Sequence, residues 1–353
     1  MELLKKSTKA HKPAQANSKN SLAVLCRALK KADNFLLASH VNPEGDAIGS
    51  ILALESLLRR LGKKTLIACE DPFPERLSCL PSKRWNRSKD IPRGRKFGAL
   101  VVADCPTLER IGEVRKLLGP ETKIFNIDHH ISNANFGHYN YIQPKASAAG
   151  EVVYDIFKWF KMKINKEEAT ALYVSIATDT GSFKYSNTTV KSHQIASDLI
   201  QTGIDIEKIN DGLYATYSLE RIQLYSLLLG KIQRSKDGTI AWVSLTRGDL
   251  KKTGGTYEDT EGFIDFLKYI REVQFCFFMS ELDGTQDGQI KVSFRSKGNY
   301  DVAQVAAHFG GGGHKKAAGC TIPGSIEQAT ELILEQIESA LKKQKKPRTN
   351  GEM

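Results

Sequence analysis

The stretch KIFNIDHH, residues 123–130, joins an apolar run to one aspartate and two histidines. The run, residues 123–127, has the continuous apolar character of a strand in the middle of a parallel sheet. Ligands of open α/β sheets bind at the carboxyl ends of the strands, where Asp128, His129 and His130 would lie. Titratable side chains make a poor core, so the stretch predicts both a parallel sheet and a functional site at its edge.

Three other apolar segments also lead into acidic or imidazole side chains. Residues 35–39 lead into His40, Glu44 and Asp46, residues 99–103 lead into Asp104, and residues 171–177 lead into Asp179. The last segment fits either a strand or a helix, and its alanines, its leucine and the glutamates before it favour a helix. We therefore expect three strand ends and one helix end to bring these side chains together.

The order of segments predicts an α/β fold with two domains. Helical and strand patterns first alternate, as in a doubly wound, mainly parallel sheet with helices on both faces. Hairpin patterns then predict a smaller C-terminal mixed-sheet α/β domain across a cleft. Residues 71–95 and the asparagine-rich segment after His130 are expected to be irregular, and residues 109–118 helical. The predicted boundaries are a basic disordered tail at 1–19, the first domain at 20–215, a linker helix at 216–231, the second domain at 232–343 and a basic tail at 344–353.

Composition narrows the class of protein. The chain has 353 residues, enough for two domains of ordinary size, and 41% of them are hydrophobic. No apolar run approaches the roughly 20 residues of a membrane span, so we expect no membrane association and a cytoplasmic location. The six cysteines are scattered without a C-x-x-C pair, which disfavours a zinc knuckle or a disulfide framework.

The net charge of +11 comes mainly from the two tails. Residues 1–19 hold five lysines and one glutamate, and residues 342–353 hold four lysines, one arginine and one glutamate, so the tails supply +8 of the +11. Solvated ends are the simplest interpretation of such charge runs. A non-catalytic nucleic-acid-binding module stays open as an alternative, which deletion of both tails would test.

The acidic and imidazole residues together have the composition of a site for two divalent cations. A single aspartate after a strand is usually a helix cap or a turn residue, but eight such groups at four segment ends favour joint ligation. Two ions about 3.5–4 Å apart need a bridging carboxylate and further ligands on each side. Oxygen-rich ligation with a minority of histidine favours manganese or magnesium over zinc. The candidates are His40, Glu44, Asp46, Asp104, Asp128, His129, His130 and Asp179.

These motifs resemble those of the DHH phosphoesterase superfamily over essentially everything between the tails. His40-x-x-x-Glu44-x-Asp46 is similar to the first motif, Asp104 to the second, Asp128-His129-His130 to the third, and Asp179 within ATDTGSF, residues 177–183, to the fourth. The resemblance implies His40 and Glu44 on one metal ion, Asp46, His129 and Asp179 on the other, and Asp104 bridging. It also implies that Asp128 orients a ligating histidine and that His130 faces the scissile phosphate. Glu44 stands where the family usually has aspartate.

A second motif, FGGGGHKKAAG at residues 309–319, combines four consecutive glycines with a histidine and two lysines. Consecutive glycines expose backbone N–H groups that suit an anion, although a glycine run alone is more often a flexible turn. With its histidine and its Ala-Ala-Gly end, the run resembles the substrate-binding motif of the DHH-associated C-terminal domain. Arg295 matches a phosphate-binding arginine of that domain. The alternative interpretation of Arg295 is an exposed charge at a strand end. The candidate substrate-binding residues are Arg295, Ser296, Gly311, Gly312, Gly313 and His314.

The resemblance implies a two-metal hydrolase, with Asp104, Asp128 and His130 as catalytic residues. Manganese is the expected metal, with magnesium or cobalt as other candidates. The two-domain layout is similar to that of the nanoRNase and pAp phosphatase group. That group implies release of 5′-mononucleotides from short RNA or DNA oligonucleotides and removal of the 3′-phosphate of 3′-phosphoadenosine 5′-phosphate (pAp). A homodimer is left open.

Two other enzymatic activities also stay open. A cyclic- or linear-dinucleotide phosphodiesterase would use the same catalytic residues, and substrate profiling separates it from the oligoribonuclease. An inorganic pyrophosphatase of the superfamily is disfavoured, because its C-terminal domain lacks the glycine-rich histidine motif.

Overall fold

The computed structural model describes residues 21–215, 217–282, 288–298 and 300–345. The chain divides into two compact units after residue 216. The predicted tail at 1–19 and residues 346–353 of the C-terminal tail lie outside the described residues. Within the described part, no helix is both long enough and apolar enough to cross a bilayer.

The first unit contains a six-stranded, wholly parallel sheet, which confirms the predicted fold class. Its strands follow the order β3-β2-β1-β4-β5-β6. The chain order reverses between β1 and β4, so this sheet has a switch point, where open α/β sheets bind their ligands. The strands are β1 (Phe35–Ala38), β2 (Thr65–Cys69), β3 (Trp85–Arg87), β4 (Ala99–Ala103), β5 (Lys123–Asp128) and β6 (Tyr139–Ile142).

The α-helices of this unit pack on one face of the sheet, whereas we expected helices on both faces. Phe35 and Leu37 of β1 join a buried cluster with residues from all six helices, while Leu36 and Ala38 face the other way, as the two-residue period of a strand requires. The helices are α1 (Leu22–Lys31), α2 (Gly45–Arg60), α3 (Ala149–Trp159), α4 (Lys166–Asp179), α5 (Val190–Ile200) and α6 (Ile206–Tyr214).

The opposite face is covered by loops and a 3-10 segment, Leu108–Leu117, where we expected an α-helix at 109–118. The segment is interrupted at Gly112, whose φ of 57° is not helical. A Cβ on Gly112 would lie 2.8 Å from Cγ1 of Val41, so the close approach of the loop after β1 requires glycine there.

Helix α4 settles the ambiguous segment at 171–177, which is helical as its composition favours. Its N-terminus is closed by a capping box between Asn165 and Glu168. Helices α2 and α4 pack closely because Gly49 has no side chain, and a Cβ there would lie 3.0 Å from Cβ of Ser175. Since α2 carries Asp46 in its first turn and α4 ends at Asp179, this packing sets the distance between two predicted ligands.

Two short strands lie in segments that we expected to be irregular. Strand β3 has only three residues and lies at one edge of the sheet, where a short pairing leaves little sequence signal. Strand β6 lies at the other edge, and the ring of Tyr139 stacks on Phe125 of β5 with ring centroids 4.9 Å apart. Packing against β5 therefore creates a strand that alternation alone does not predict.

The second unit contains a mixed sheet in the order β11-β12-β10-β9-β8-β7. The hairpin patterns, at residues 230–245 and 273–295, are confirmed, since β7 pairs with β8 and β9 with β10 in antiparallel fashion, whereas β8 and β9 are parallel. The strands are β7 (Gln233–Arg234), β8 (Ile240–Leu245), β9 (Phe275–Glu281), β10 (Gln289–Ser296), β11 (Gly312–His314) and β12 (Ala317–Pro323). The helices are α7 (Leu219–Gly230), α8 (Arg247–Thr253), α9 (Ile264–Tyr269), α10 (Val302–His308) and α11 (Ile326–Lys345).

Helix α7 occupies the segment for which we predicted a linker. Leu224, Tyr225 and Leu228 of this helix are buried in one cluster with Phe263 and Leu267 of the second unit. The helix therefore contributes to the core of the second unit.

Candidate metal centre

A cavity of about 410 Å³ opens at the carboxyl ends of β1 and β4, next to the switch point of the sheet. Seven of the eight predicted acidic and imidazole residues line it: His40, Glu44, Asp46, Asp104, His129, His130 and Asp179. The eighth, Asp128, is fully buried at the end of β5. The first unit thus brings together eight side chains that are spread over residues 40 to 179 of the sequence.

His129 lies at the centre of three carboxylates. Its Nε2 atom is 3.6 Å from Oδ2 of Asp46, 3.6 Å from Oδ1 of Asp104 and 3.7 Å from Oδ2 of Asp179. These distances are long for direct hydrogen bonds. They match the spacing of about 3–4 Å between donor atoms that share one cation with bonds of about 2.1 Å.

His40 faces the other side of Asp104. Its Nδ1 lies 2.8 Å from the carbonyl oxygen of Val41, and a carbonyl can only accept, so Nδ1 carries the ring hydrogen. The lone pair of Nε2 then points toward Oδ2 of Asp104 at 3.7 Å. Because Oδ1 of Asp104 faces His129 and Oδ2 faces His40, this carboxylate has the arrangement of a bridge between two cation positions.

The backbone at Asp104 is unusual. Its φ of 55° is left-handed, a conformation that costs free energy for a residue with a side chain. The amide of Asp104 donates to the carbonyl of Ile127 at 3.1 Å, which ties the turn after β4 to β5. The turn aims the carboxylate into the cavity.

Asp46 is anchored by the N-terminus of α3. Its oxygens accept the amides of Ala149 at 2.8 Å and Gly150 at 3.1 Å, and they also accept the hydroxyls of Ser50 and Ser175. The positive end of a helix dipole therefore adds to the field at this carboxylate.

The pKa values of these groups indicate a surplus of negative charge. Burial and the neighbouring Asp104 raise the pKa of Asp46 to about 8, and burial raises the pKa of Asp179 to about 6. Burial lowers the pKa of His129, but the three carboxylates around it outweigh that effect and raise it to about 10. Crowded carboxylates that bind protons this readily also favour a divalent cation, so the residues present fit a metal centre.

The Asp128 carboxylate contacts His130 and not the ring of His129. Its Oδ1 accepts Nδ1 of His130 at 2.8 Å and the backbone amide of His129 at 2.7 Å. The His129 ring is oriented instead by the carbonyl of Ala146, 3.2 Å from its Nδ1. The resemblance implied that Asp128 orients a ligating histidine, whereas here it orients the imidazole expected to face the phosphate.

Glu44 differs from the other candidates because its side chain is exposed. It occupies the N-cap position of α2 and makes no capping hydrogen bond. The described groups with ligand atoms within 4.8 Å of one another contain Asp104, Asp128, His129 and His130 in one case and Asp46, His129 and Asp179 in the other. Glu44 and His40 line the same cavity without joining either group.

Two asparagines outside the predicted set of site residues orient its carboxylates. Asn133 donates to Oδ2 of Asp128 at 2.5 Å, and Asn187 donates to the Asp179 carbonyl at 3.1 Å and carboxylate at 3.3 Å. Both lie in loops, where neither periodicity nor spacing indicates which way a side chain points. The asparagine-rich composition after His130 was the only available signal for Asn133.

The predicted substrate-binding residues lie in the second unit. Arg295 is half-buried in β10 with Nη1 3.0 Å from the carbonyl of Phe294, and the buried Ser296 donates to the carbonyl of Tyr300 at 2.9 Å. Gly312, Gly313 and His314 form the exposed strand β11, paired with β12.

Glycines of the run form backbone hydrogen bonds and a tight backbone contact, which limits the use of the run as an anion cradle. The amides of Gly310 and Gly311 donate to the carbonyls of Ala307 and Ala306 at the end of α10. Gly313 has a φ of 145°, and a Cβ there would lie 2.6 Å from the carbonyl oxygen of Ala317. At least two of the four amides are thus already occupied.

Comparison with known proteins identifies both units. Residues 34–176 match the model of the DHH family, N-terminal domain, and residues 239–343 match the DHHA1 domain. The bifunctional oligoribonuclease and PAP phosphatase NrnA of Thermus thermophilus is 31% identical over 322 residues, 91% of this chain and 94% of that protein. The protein of the same name from Bacillus subtilis is 31% identical, over 84% of this chain and 92% of its own. The crystal structure of an exopolyphosphatase-related protein from Bacteroides fragilis is 29% identical with a TM-score of 0.82, covering 92% of this chain and 97% of that one.

Proposed function

The chain belongs to the DHH family of phosphoesterases, and from this premise we propose that it hydrolyses short oligonucleotides to 5′-mononucleotides and removes the 3′-phosphate of pAp. The observation that carries the proposal is the position of His129, whose Nε2 lies 3.6–3.7 Å from three carboxylates in an open cavity. The names of the relatives from Thermus thermophilus and Bacillus subtilis support this pair of substrates.

We propose two divalent cations in this cavity, with manganese first and magnesium or cobalt as the other candidates. When bound, they would lower the pKa of a water molecule and neutralise charge on the phosphoryl oxygens. Oxygen-rich donors with few imidazoles support manganese or magnesium. The proposed ligands are His40 and Glu44 on one side, Asp46, His129 and Asp179 on the other, and Asp104 between them.

His130 is the proposed proton donor and hydrogen-bond donor to the substrate. With Nδ1 held by Asp128 at 2.8 Å, its Nε2 is left for a phosphate or leaving oxygen. The hydrogen bond that Nδ1 of His130 donates to the Asp128 carboxylate raises the pKa of His130, which favours the protonated ring. Asp128 and Asn133 would therefore act by positioning this imidazole.

A panel of substrates tests the proposed function. Purified protein with manganese should hydrolyse di- to pentanucleotides and pAp faster than cyclic di-adenylate and pyrophosphate, with mononucleotide release followed by chromatography. Faster turnover of cyclic or linear dinucleotides than of pAp and longer oligonucleotides would indicate the dinucleotide phosphodiesterase instead. A preference for pyrophosphate would overturn the proposal. Cytoplasmic location and a homodimer stay predictions.

Arg295 is the proposed grip for a terminal phosphate of the substrate. Arg295→Ala should raise KM for pAp by about 10- to 150-fold, because hydrogen bonds between charged groups contribute about 1.5–3 kcal/mol. A dinucleotide without a terminal phosphate should lose far less. Steady-state kinetics on both substrates measures the difference, and Lys291→Ala, an exposed cation on the same strand, is the matched control. Equal losses on both substrates would contradict this role.

A further inference from the structure

A second cavity adjoins the candidate metal centre within the first unit. Its volume is about 270 Å³, close to the lower end of the range of about 300–1,000 Å³ for small-ligand pockets. Glu44 and Thr178 line both this cavity and the metal centre, so the two are contiguous. An occupant of the second cavity can therefore be part of the same molecule whose phosphate lies in the first.

An aromatic platform forms one wall of the second cavity. A Cβ on Gly181 would lie within 2.6 Å of Cε1 and Cε2 of Tyr185, with Cζ as its nearest atom, so the ring turns its face to the Gly181 backbone. Tyr185 is nevertheless 61% exposed, which leaves the opposite face open. An exposed aromatic face at the edge of a cavity is the usual means of binding a nucleobase, and stacking tolerates every base.

The turn that carries Tyr185 has an unusual backbone. Gly181, Ser182 and Phe183 all have positive φ values, of 55°, 58° and 64°. Such strain persists only where the surroundings enforce it, and here the Phe183 ring stacks on His193 at 4.9 Å while the amides of Lys184 and Tyr185 both donate to the carbonyl of Thr180 at 3.0 Å. The turn brings Ser182, Lys184 and Tyr185 to the wall of the second cavity.

The rest of the wall supplies groups that suit a nucleoside and its phosphate. The hydroxyls of Ser182 and Tyr214 bond to each other, which uses one hydroxyl hydrogen and leaves one for a ligand. Lys184 and Arg76 contribute positive charge to the same wall. A stacking face, a hydroxyl pair and two cations together match a base, a ribose and a flanking phosphate.

We propose that this cavity binds one of the two nucleosides joined to the scissile phosphate, with its base stacked on the open face of Tyr185. The proposal rests on the proposed hydrolysis at the metal centre and adds where the substrate's nucleoside lies. It predicts weak preference among the four bases, because stacking does not read hydrogen-bonding edges.

Abasic dinucleotides test the proposal through the coupling between protein and base. On an intact dinucleotide, Tyr185→Leu should lower kcat/KM by about 5- to 150-fold, as expected for the loss of one base–aromatic stack. On the abasic isomer that lacks the stacked base, the wild type should already show that loss, and Tyr185→Leu should add little to it. Tyr185→Phe should keep the coupling, and Tyr269→Leu, an exposed tyrosine of the second unit, should show none. If the loss from Tyr185→Leu and the loss from removing a base were fully additive for both abasic isomers, the proposal would be overturned.

Two further measurements separate this proposal from the proposed function. If the wild type with manganese hydrolyses no dinucleotide, the proposed function fails, and calorimetric binding of AMP and ribose 5-phosphate still tests the cavity. Tighter binding of AMP that disappears in Tyr185→Leu supports the base site, and equal binding of the two ligands overturns it. Photocrosslinking of a 5-iodouridine dinucleotide to the wild type needs no variant. A crosslink to the peptide that contains Tyr185 supports the site, and crosslinks only elsewhere contradict it.

Discussion

Asp104→Ala should reduce kcat/KM for a dinucleotide in the presence of manganese by about a thousandfold or more. A loss of this size is expected because cation ligation supplies several kcal/mol of transition-state stabilisation, and each ~1.4 kcal/mol is a factor of ten. Asp104 should have the largest effect of the carboxylates because its two oxygens face His40 and His129 separately, at 3.7 and 3.6 Å. Its removal would weaken both proposed cation positions at once.

A measurement independent of turnover accompanies this variant. Manganese should raise the thermal unfolding temperature of the wild type, since a ligand at 100 times its Kd stabilises by about 2.7 kcal/mol. The shift should shrink strongly in Asp104→Ala. Asp155→Ala, which removes a carboxylate paired with Lys191 at 2.8 Å outside the cavity, should keep both the shift and the activity. Folded Asp104→Ala protein with wild-type turnover would disprove the two-metal assignment.

The sequence predicts the parallel sheet and most of the residues that line the cavity, because both depend on short-range patterns. Continuous apolar runs mark β1, β4 and β5, and the residues that follow parallel strands must share one edge of the sheet. This logic is sufficient to collect His40, Asp104 and the Asp128–His130 triplet. It also collects Asp179 once α4 is recognised as a helix.

What the sequence does not predict depends on tertiary contacts. Three features of the site depend on positions that only the folded chain sets. They are the left-handed turn at Asp104, the hydrogen bonds from the Ala149 and Gly150 amides to Asp46, and the contact of Asn133 with Asp128. The glycine run shows that composition can also suggest a role that tertiary contacts restrict. Its composition suggests an anion cradle, whereas Gly310 and Gly311 use their amides to end α10.

His130→Asn should lower kcat for a dinucleotide by about 10²- to 10⁴-fold, the usual contribution of a general acid or base. KM should change little, because the proposed cation ligands and Arg295 are untouched. The carboxamide that replaces the imidazole does not titrate near neutral pH and cannot act as a general acid, so the acid role is lost while the cavity stays polar. The manganese-induced shift in unfolding temperature should persist, which distinguishes His130 from the proposed ligand His129. Loss of that shift would instead make His130 a cation ligand.

Asp128→Asn distinguishes the proton-donor role of His130 from simple packing. The Asp128 carboxylate raises the pKa of His130, so an uncharged amide in its place should lower that pKa. A group that must be protonated loses activity as pH rises through its pKa, so the alkaline limb of the kcat profile should move to lower pH in this variant. The fall in kcat at the optimum should be smaller than for His130→Asn, about 10- to 100-fold for a positioning partner. An unmoved alkaline limb, measured over a range of pH with manganese constant, would show that the imidazole does not act as the acid, because the charge that sets its pKa would then be irrelevant to the rate.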